Sequence, residues 1–157
     1  MALGTDRRAS DARPPHPTFA PTPGALAEPD ADGFARSLAY ALDSARKARR
    51  GLTLVSLSIA PRDDQDGDAV VTEIAALVRA TLRESDGVWR DGALSLSLLL
   101  ADCDGPRAEP AIARLRLRLK EQRRAEIRMG RAAAQPTVDA AFLIELARSD
   151  QRPVSGR

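Results

Sequence analysis

Residues 81–100 read TLRESDGVWRDGALSLSLLL, and the change of pattern inside this stretch decides the fold. Leu94, Leu96, Leu98 and Leu100 recur at every second position, with Ser95 and Ser97 between the first three, which is the period of a strand. Asp91-Gly92 just ahead of them is a dipeptide that favours two-residue hairpin turns, because both positions tolerate positive φ. Residues 87–90 and 93–100 are therefore expected to pair. Upstream the period changes. Val70, Ile74, Leu77, Val78 and Leu82 recur at helical spacing, with Asp68 as the expected N-cap. Arg83 and Asp86, three apart, fall where this helix gives way to a hairpin that shows no catalytic side chain.

Working outward, FARSLAYALDSARKARR (34–50) places Phe34, Leu38, Ala41 and Leu42 on one helical face. Its basic end, Arg46, Lys47, Arg49 and Arg50, suits a helix C-terminus, and Gly51 is expected to stop it. LTLVSLSIA (52–60) is an apolar strand ended by Pro61, and the acidic loop with Asp63, Asp64 and Asp66 reads as a solvated connection. Residues 107–124 carry leucines that fit either period, but their length and their Ala, Arg, Lys and Glu content favour a helix. EIRMGRAAA (126–134) reads as a strand, and Thr137 as the cap of a last helix carrying Phe142, Leu143 and Leu146. After the leading helix the order is β-α-β-β-α-β-α, an α+β ferredoxin-like βαββαβ sandwich with additions.

Six of the eleven prolines (Pro14, Pro15, Pro17, Pro21, Pro23 and Pro29) crowd residues 1–32, which show little periodicity. Such a stretch buries too little apolar surface to offset its ordering entropy, so residues 1–32 are expected to be a disordered tail. The folded unit is placed at 33–150, and 151–157 is expected as a loose end.

Charge is nearly balanced, 24 basic against 22 acidic residues, which argues against a general binder of nucleic acid or membrane. A single cysteine, Cys103, excludes an intrachain disulfide and a multi-cysteine metal site. The one histidine, His16, has no neighbouring ligand, so neither metal nor cofactor is expected. With no membrane-spanning run and no signal-peptide pattern, the expected setting is cytoplasmic.

A ferredoxin-like sheet hosts several kinds of function, and the fold does not choose among them. An RNA-recognition module stacks bases on aromatic side chains of its central strands, and residues 52–60 and 93–100 contain none. A metal carrier lacks its paired cysteines here, and a nucleoside triphosphatase its Gly-rich loop with a following Lys.

The stretch GDAVVTEIAALVRATLRESDGVWRDGALSLSLLLADCDGPRAEPAIARLRLRL (67–119) resembles the GGDEF domains of diguanylate cyclases. Gly67-Asp68 stands where that family opens a helix. Arg83-Glu84-Ser85-Asp86 stands where the helix ends in Arg-x-x-Asp, and Arg90 precedes the signature turn. The resemblance spans roughly residues 34–150. Its departures bear on the chemistry. The signature turn reads Gly92-Ala93-Leu94-Ser95-Leu96, without either acidic residue. The first-strand positions where the family carries metal-binding aspartates read Ser58 and Ala60, and the chain contains no asparagine to read guanine. Two-metal phosphoryl chemistry needs carboxylates for its cations. The resemblance therefore implies a degenerate, catalytically inactive domain.

What the resemblance retains is a product-binding inhibitory motif. Arg83 and Asp86 match it in type and spacing, with Gly87 to Asp91 as the five residues before the signature. The second arginine that the family places on the next helix falls at Arg114. The implied ligand is cyclic di-GMP, bound singly or as an intercalated dimer, with Arg83, Asp86 and Arg114 as contacts. Arg90 is expected as a surface charge of the hairpin within reach of that ligand, and Trp89 as packed at the hairpin edge. A guanidinium matches the O6/N7 edge of guanine, and arginine charge offsets the ligand phosphates. The function implied is a receptor that signals to a protein partner, with a homodimer compatible. The alternative is an interaction domain that binds no nucleotide and works through its helices or Pro-rich tail.

Overall fold

The computed structural model describes residues 26 and 28–155. Most of the Pro-rich stretch and the last two residues lie outside the described residues, so the expected disorder of 1–32 falls largely outside them. From Glu28 the chain leads directly into helix α1 (Ala31–Ala48), whose N-cap Asp30 accepts from Gly33 N at 2.8 Å. Phe34, Leu38, Ala41 and Leu42 are its buried face, as their spacing requires.

The helix does not wait for Gly51 to end. Arg49 takes the left-handed conformation at φ 54° and its N–H returns to the last turn. Gly51 serves a different purpose: a Cβ there would stand 2.5 Å from Asp104 N, so a glycine lets strand β1 (Leu52–Pro61) start against the backbone of Cys103 and Asp104.

After β1 come α2 (Gly67–Thr81), β2 (Gly87–Gly92), β3 (Ser95–Ala101), α3 (Gly105–Lys120), β4 (Ala125–Ala133), α4 (Ala140–Ser149) and the short β5 (Arg152–Pro153). The sheet order is β2-β3-β1-β4-β5 with every neighbour antiparallel, the ferredoxin-like arrangement extended by one edge strand. Helices α2 and α3 cover one face, where Val55, Leu57 and Ile59 meet Ile74, Val78, Ile112 and Leu115. Helices α1 and α4 cover the other, where Leu52, Leu54 and Leu99 meet Phe34, Leu38 and Leu143. Burial on both faces explains why β1 and the end of β3 read as apolar runs rather than as a clean alternation. No helix among the described residues is long and apolar enough to cross a membrane.

The structure moves several local features. The two-residue turn is Ala93-Leu94, not Asp91-Gly92, and neither Asp91 nor Gly92 has positive φ. The pairs Trp89↔Ser97 and Gly92↔Ser95 leave two residues on β2 facing one on β3, a bulge at Arg90-Asp91. The bulge turns both side chains inward. The caps of α2 and α4 are Asp66 and Asp139, rather than Asp68 and Thr137, each with its carboxylate on a first-turn N–H. The segment from 151, expected as a loose end, adds β5 to the sheet and buries Val154, whose N–H donates to Ile127 O at 2.8 Å.

Gly130 is where α4 closes on β4. A Cβ there would run into Ala147 O and stand 2.6 Å from Gln151 N. Gly130→Ala is expected to lower the unfolding free energy by roughly 1–3 kcal/mol through forced displacement of backbone. At Gly105 an added Cβ meets only Ala133 Cβ at 4.0 Å. Gly105→Ala should stay within about 0.5 kcal/mol of wild type. Urea midpoints measured on both variants check the difference.

Candidate functional site

The turn between α2 and β2 is built around one carboxylate. Asp86 is 1% exposed, and its Oδ2 accepts from Arg83 N at 3.0 Å and Arg83 Nε at 3.4 Å. Its Oδ1 accepts from Ala101 N at 3.0 Å and Arg83 Nη2 at 3.3 Å. A buried carboxylate needs such donors, and here two backbone N–H groups and a guanidinium supply them. The turn is tied further by Arg79, whose Nη1 donates to Asp86 O at 2.6 Å and whose Nη2 donates to Arg83 O. Sequence reading missed Arg79. Its signal is the spacing to Arg83, one helical turn away, which places it over the unsatisfied carbonyls at the end of α2.

Arg83 itself is half-exposed. Nη2 also donates to Ala101 O at 2.6 Å and lies 3.4 Å from the buried Cys103 Sγ. The hydrogen bond that Arg83 donates to Asp86 raises the pKa of Arg83 above its ordinary value, against the opposing effect of partial burial. The structure thus brings Arg83 and Asp86 together, with the guanidinium clamped between the α2 end and the β3 end. Its Nη1 takes no hydrogen-bond partner among the described residues.

Of the other two expected contacts, one is exposed and one is buried. Arg114 is exposed on α3, nine residues beyond Gly105 and so roughly 13 Å along the helix axis from the end nearest Cys103. Arg90 is not a surface charge. It is 3% exposed, because the bulge turns it inward, and it donates through Nη2 to Asp68 Oδ1 at 2.6 Å and Ala93 O at 2.7 Å. It lies four strand residues from Asp86, roughly 13 Å away, and braces the start of α2 against the hairpin turn. Trp89 packs at the hairpin edge as expected, its ring 5.7 Å from that of Phe34.

At the far end of β1, Ile59 N donates to Leu94 O at 2.9 Å and holds the hairpin turn against the strand. Beside it a cavity of about 260 Å³ is lined by Ser58, Ala60, Glu126, Arg128, Pro153 and Ser155. Ser58 Oγ donates to Gln151 Oε1 at 2.7 Å, and Gln151 Nε2 donates to Ser56 Oγ at 2.9 Å. One carboxylate, Glu126, borders this cavity, and no group of three metal-ligating side chains occurs among the described residues. Asp91, buried by the bulge, accepts from Ser95 Oγ and Ser97 Oγ at 2.8 Å each and from Arg148 Nη2 at 3.3 Å. Its role is internal. The two serines on alternate positions of an apolar strand are the sequence mark of that buried partner.

No known family model matches the chain, and no curated protein does. The likeness to solved structures is in three dimensions. The FimX GGDEF domain from Pseudomonas aeruginosa is 19% identical over 76% of this chain and 84% of its own, with a TM-score of 0.68. The GGDEF domain of DgcB from Caulobacter crescentus, in complex with c-di-GMP, is 16% identical over 76% and 80%, with a TM-score of 0.64. The diguanylate cyclase SiaD of Pseudomonas aeruginosa, in complex with its activator SiaC, is 17% identical over 94% of this chain and 59% of its own, with a TM-score of 0.71. The fold is that of the GGDEF domains. Within that GGDEF frame the hairpin turn at Ala93-Leu94 and the β1 end at Ser58 and Ala60 adjoin, and neither brings an acidic residue to the cavity.

The geometry separates the two halves of the Arg-x-x-Asp motif by their contribution to folding. Asp86→Ala leaves Arg83 N and Ala101 N without their acceptor, an expected loss of roughly 1–3 kcal/mol. Arg83→Ala leaves both backbone N–H donors on Asp86 and is expected to cost less, about 1 kcal/mol. Chemical denaturation of both variants checks this; equal losses would sink the assignment of Asp86 as the anchor.

Proposed function

We propose that the chain is a GGDEF domain that has given up synthesis and acts as a receptor for cyclic di-GMP, passing the signal to a protein partner in the cytoplasm. The observation that carries this reading is the clamped guanidinium of Arg83, half-exposed, with its Nη1 edge unpaired among the described residues. An arginine already fixed in orientation loses little freedom on binding, so hydrogen bonds from the two Nη1 N–H groups to a guanine or phosphate oxygen are gained at low entropic cost. Asp86 then acts by positioning Arg83, since its own oxygens are occupied. Arg114, exposed further along α3, serves the larger footprint of an intercalated ligand dimer, while buried Arg90 leaves the contact set. The reported DgcB complex supports cyclic di-GMP as a ligand suited to this fold. The absence of acidic residues at Ser58, Ala60, Leu94 and Ser95 supports the loss of catalysis, because the cations of cyclase chemistry need carboxylate ligands.

A second reading is favoured by one specific observation. Asp86 is fully engaged by its own chain, so Arg-x-x-Asp already has a complete structural use. On that reading the domain binds a protein partner without any nucleotide. Calorimetric titration of the full chain with cyclic di-GMP separates the two. The receptor reading expects low-micromolar or tighter binding, weakened by Arg83→Ala by about 1–3 kcal/mol, and no product from GTP and magnesium. Absence of heat with the wild-type protein, under conditions where it is folded, supports the interaction domain instead.

A further inference from the structure

Three arginines from three different elements converge on the sheet flank where α3 crosses β4 beside β5. Arg116 from α3, Arg131 from β4 and Arg152 from β5 line a cavity of about 130 Å³ whose apolar wall is Ile112 and Met129. Asp150 also borders it, but its Oδ2 is spent on Arg131 N at 3.1 Å. Arg131 Nη2 pairs with Glu109, and the hydrogen bond from Arg131 holds the Glu109 carboxyl below its ordinary range. Burial opposes that shift, while the charges of Arg131 and Arg116 reinforce it. The opposite amino group is different. Arg131 Nη1 is buried and has no hydrogen-bond partner among the described residues. A buried guanidinium nitrogen without an acceptor is costly and marks a place where an acceptor belongs.

We propose that this cavity is an oxyanion site whose ligand is a phosphate group. Planar guanidinium forks match the oxygens of a tetrahedral dianion, and a small anion is the one ligand that satisfies Arg131 Nη1 while neutralising Arg116 and Arg152. The volume falls below the roughly 300–1,000 Å³ of sites that enclose whole organic ligands. It therefore takes one phosphate group, free or at the end of a larger molecule that continues into solvent. Glu109 is the resident competitor, holding one edge of Arg131 until an anion takes the other. The site lies apart from the Arg83 turn and does not depend on the receptor reading.

The test is titration of the full chain with inorganic phosphate and, separately, with adenosine 5′-monophosphate, at constant ionic strength in chloride. Saturable binding is expected for both. Similar affinities identify the free oxyanion as the ligand, and much tighter binding of the nucleotide identifies a phosphate ester. Arg116→Gln and Arg152→Gln, both at exposed positions, should each weaken binding about tenfold or more, the effect of losing one charge-assisted hydrogen bond. Glu109→Gln should strengthen it, a change of opposite sign that no general loss of folding produces. Circular dichroism confirms that each variant is folded. No saturable binding of either ligand, or binding that none of the three substitutions alters, overturns the proposal.

Discussion

The enclosure of β1 is the constraint on which the rest of the molecule depends. The strand is paired with β3 along one edge and β4 along the other, and helices cover both of its faces. Its backbone is laddered on both edges from Thr53 to Ser58, and most of its side chains are buried. A strand so placed tolerates polar side chains only where a partner is built in. Thr53 has the carbonyl of Cys103, while Ser56 and Ser58 share Gln151. Toward its far end the strand opens, with Ser58 half-buried and Ala60 exposed, and a hydroxyl and a methyl bring no charge to the cavity they border.

The Arg83–Asp86 turn shows how two residues of one motif divide their work. Asp86 faces the protein and joins the end of α2 to the end of β3 through backbone N–H groups. Arg83 faces outward and takes its orientation from Asp86 and from Ala101 O. Positioning and contact are thereby separated, and the contact residue can be lost with less harm to the fold than the residue beneath it. Asp91 at the other end of β2 repeats the first role alone, with serines in place of backbone donors.

The architecture was largely legible in the residues, because α1, β1, α2 and β3 each carry enough apolar positions to reveal a period. Arg83 and Asp86 were legible together for a simpler reason: they are neighbours in sequence as well as in space. The hairpin turn was not. Asp91-Gly92 has the local preference of a turn, but burying Asp91 among Ser95, Ser97 and Arg148 outweighs that preference and shifts the turn two residues on. The same bulge turned Arg90 inward, which no pattern in GVWRDG announces. Strand β5 has two residues, too few for any period, and is held by its partners rather than by its own composition. Whether Arg114 stands near Arg83 is a question of helix placement, and spacing along the chain carries no information about it.

The late position of Val154 has a consequence for how the domain matures on the ribosome. Val154 belongs to the same core cluster as Val55 and Ile127, yet it is synthesised about a hundred residues after the former. The central pairing is itself distant in sequence, with Leu57 opposite Met129. While the chain is still emerging, β1 has β3 on one side and an open edge on the other, and residues 154 and beyond are still inside the exit tunnel when β4 appears. Non-local sheets of this kind close late and expose strand edges meanwhile. The window between the arrival of β4 and the arrival of Val154 is therefore the interval in which a nascent chain is most open to mispairing.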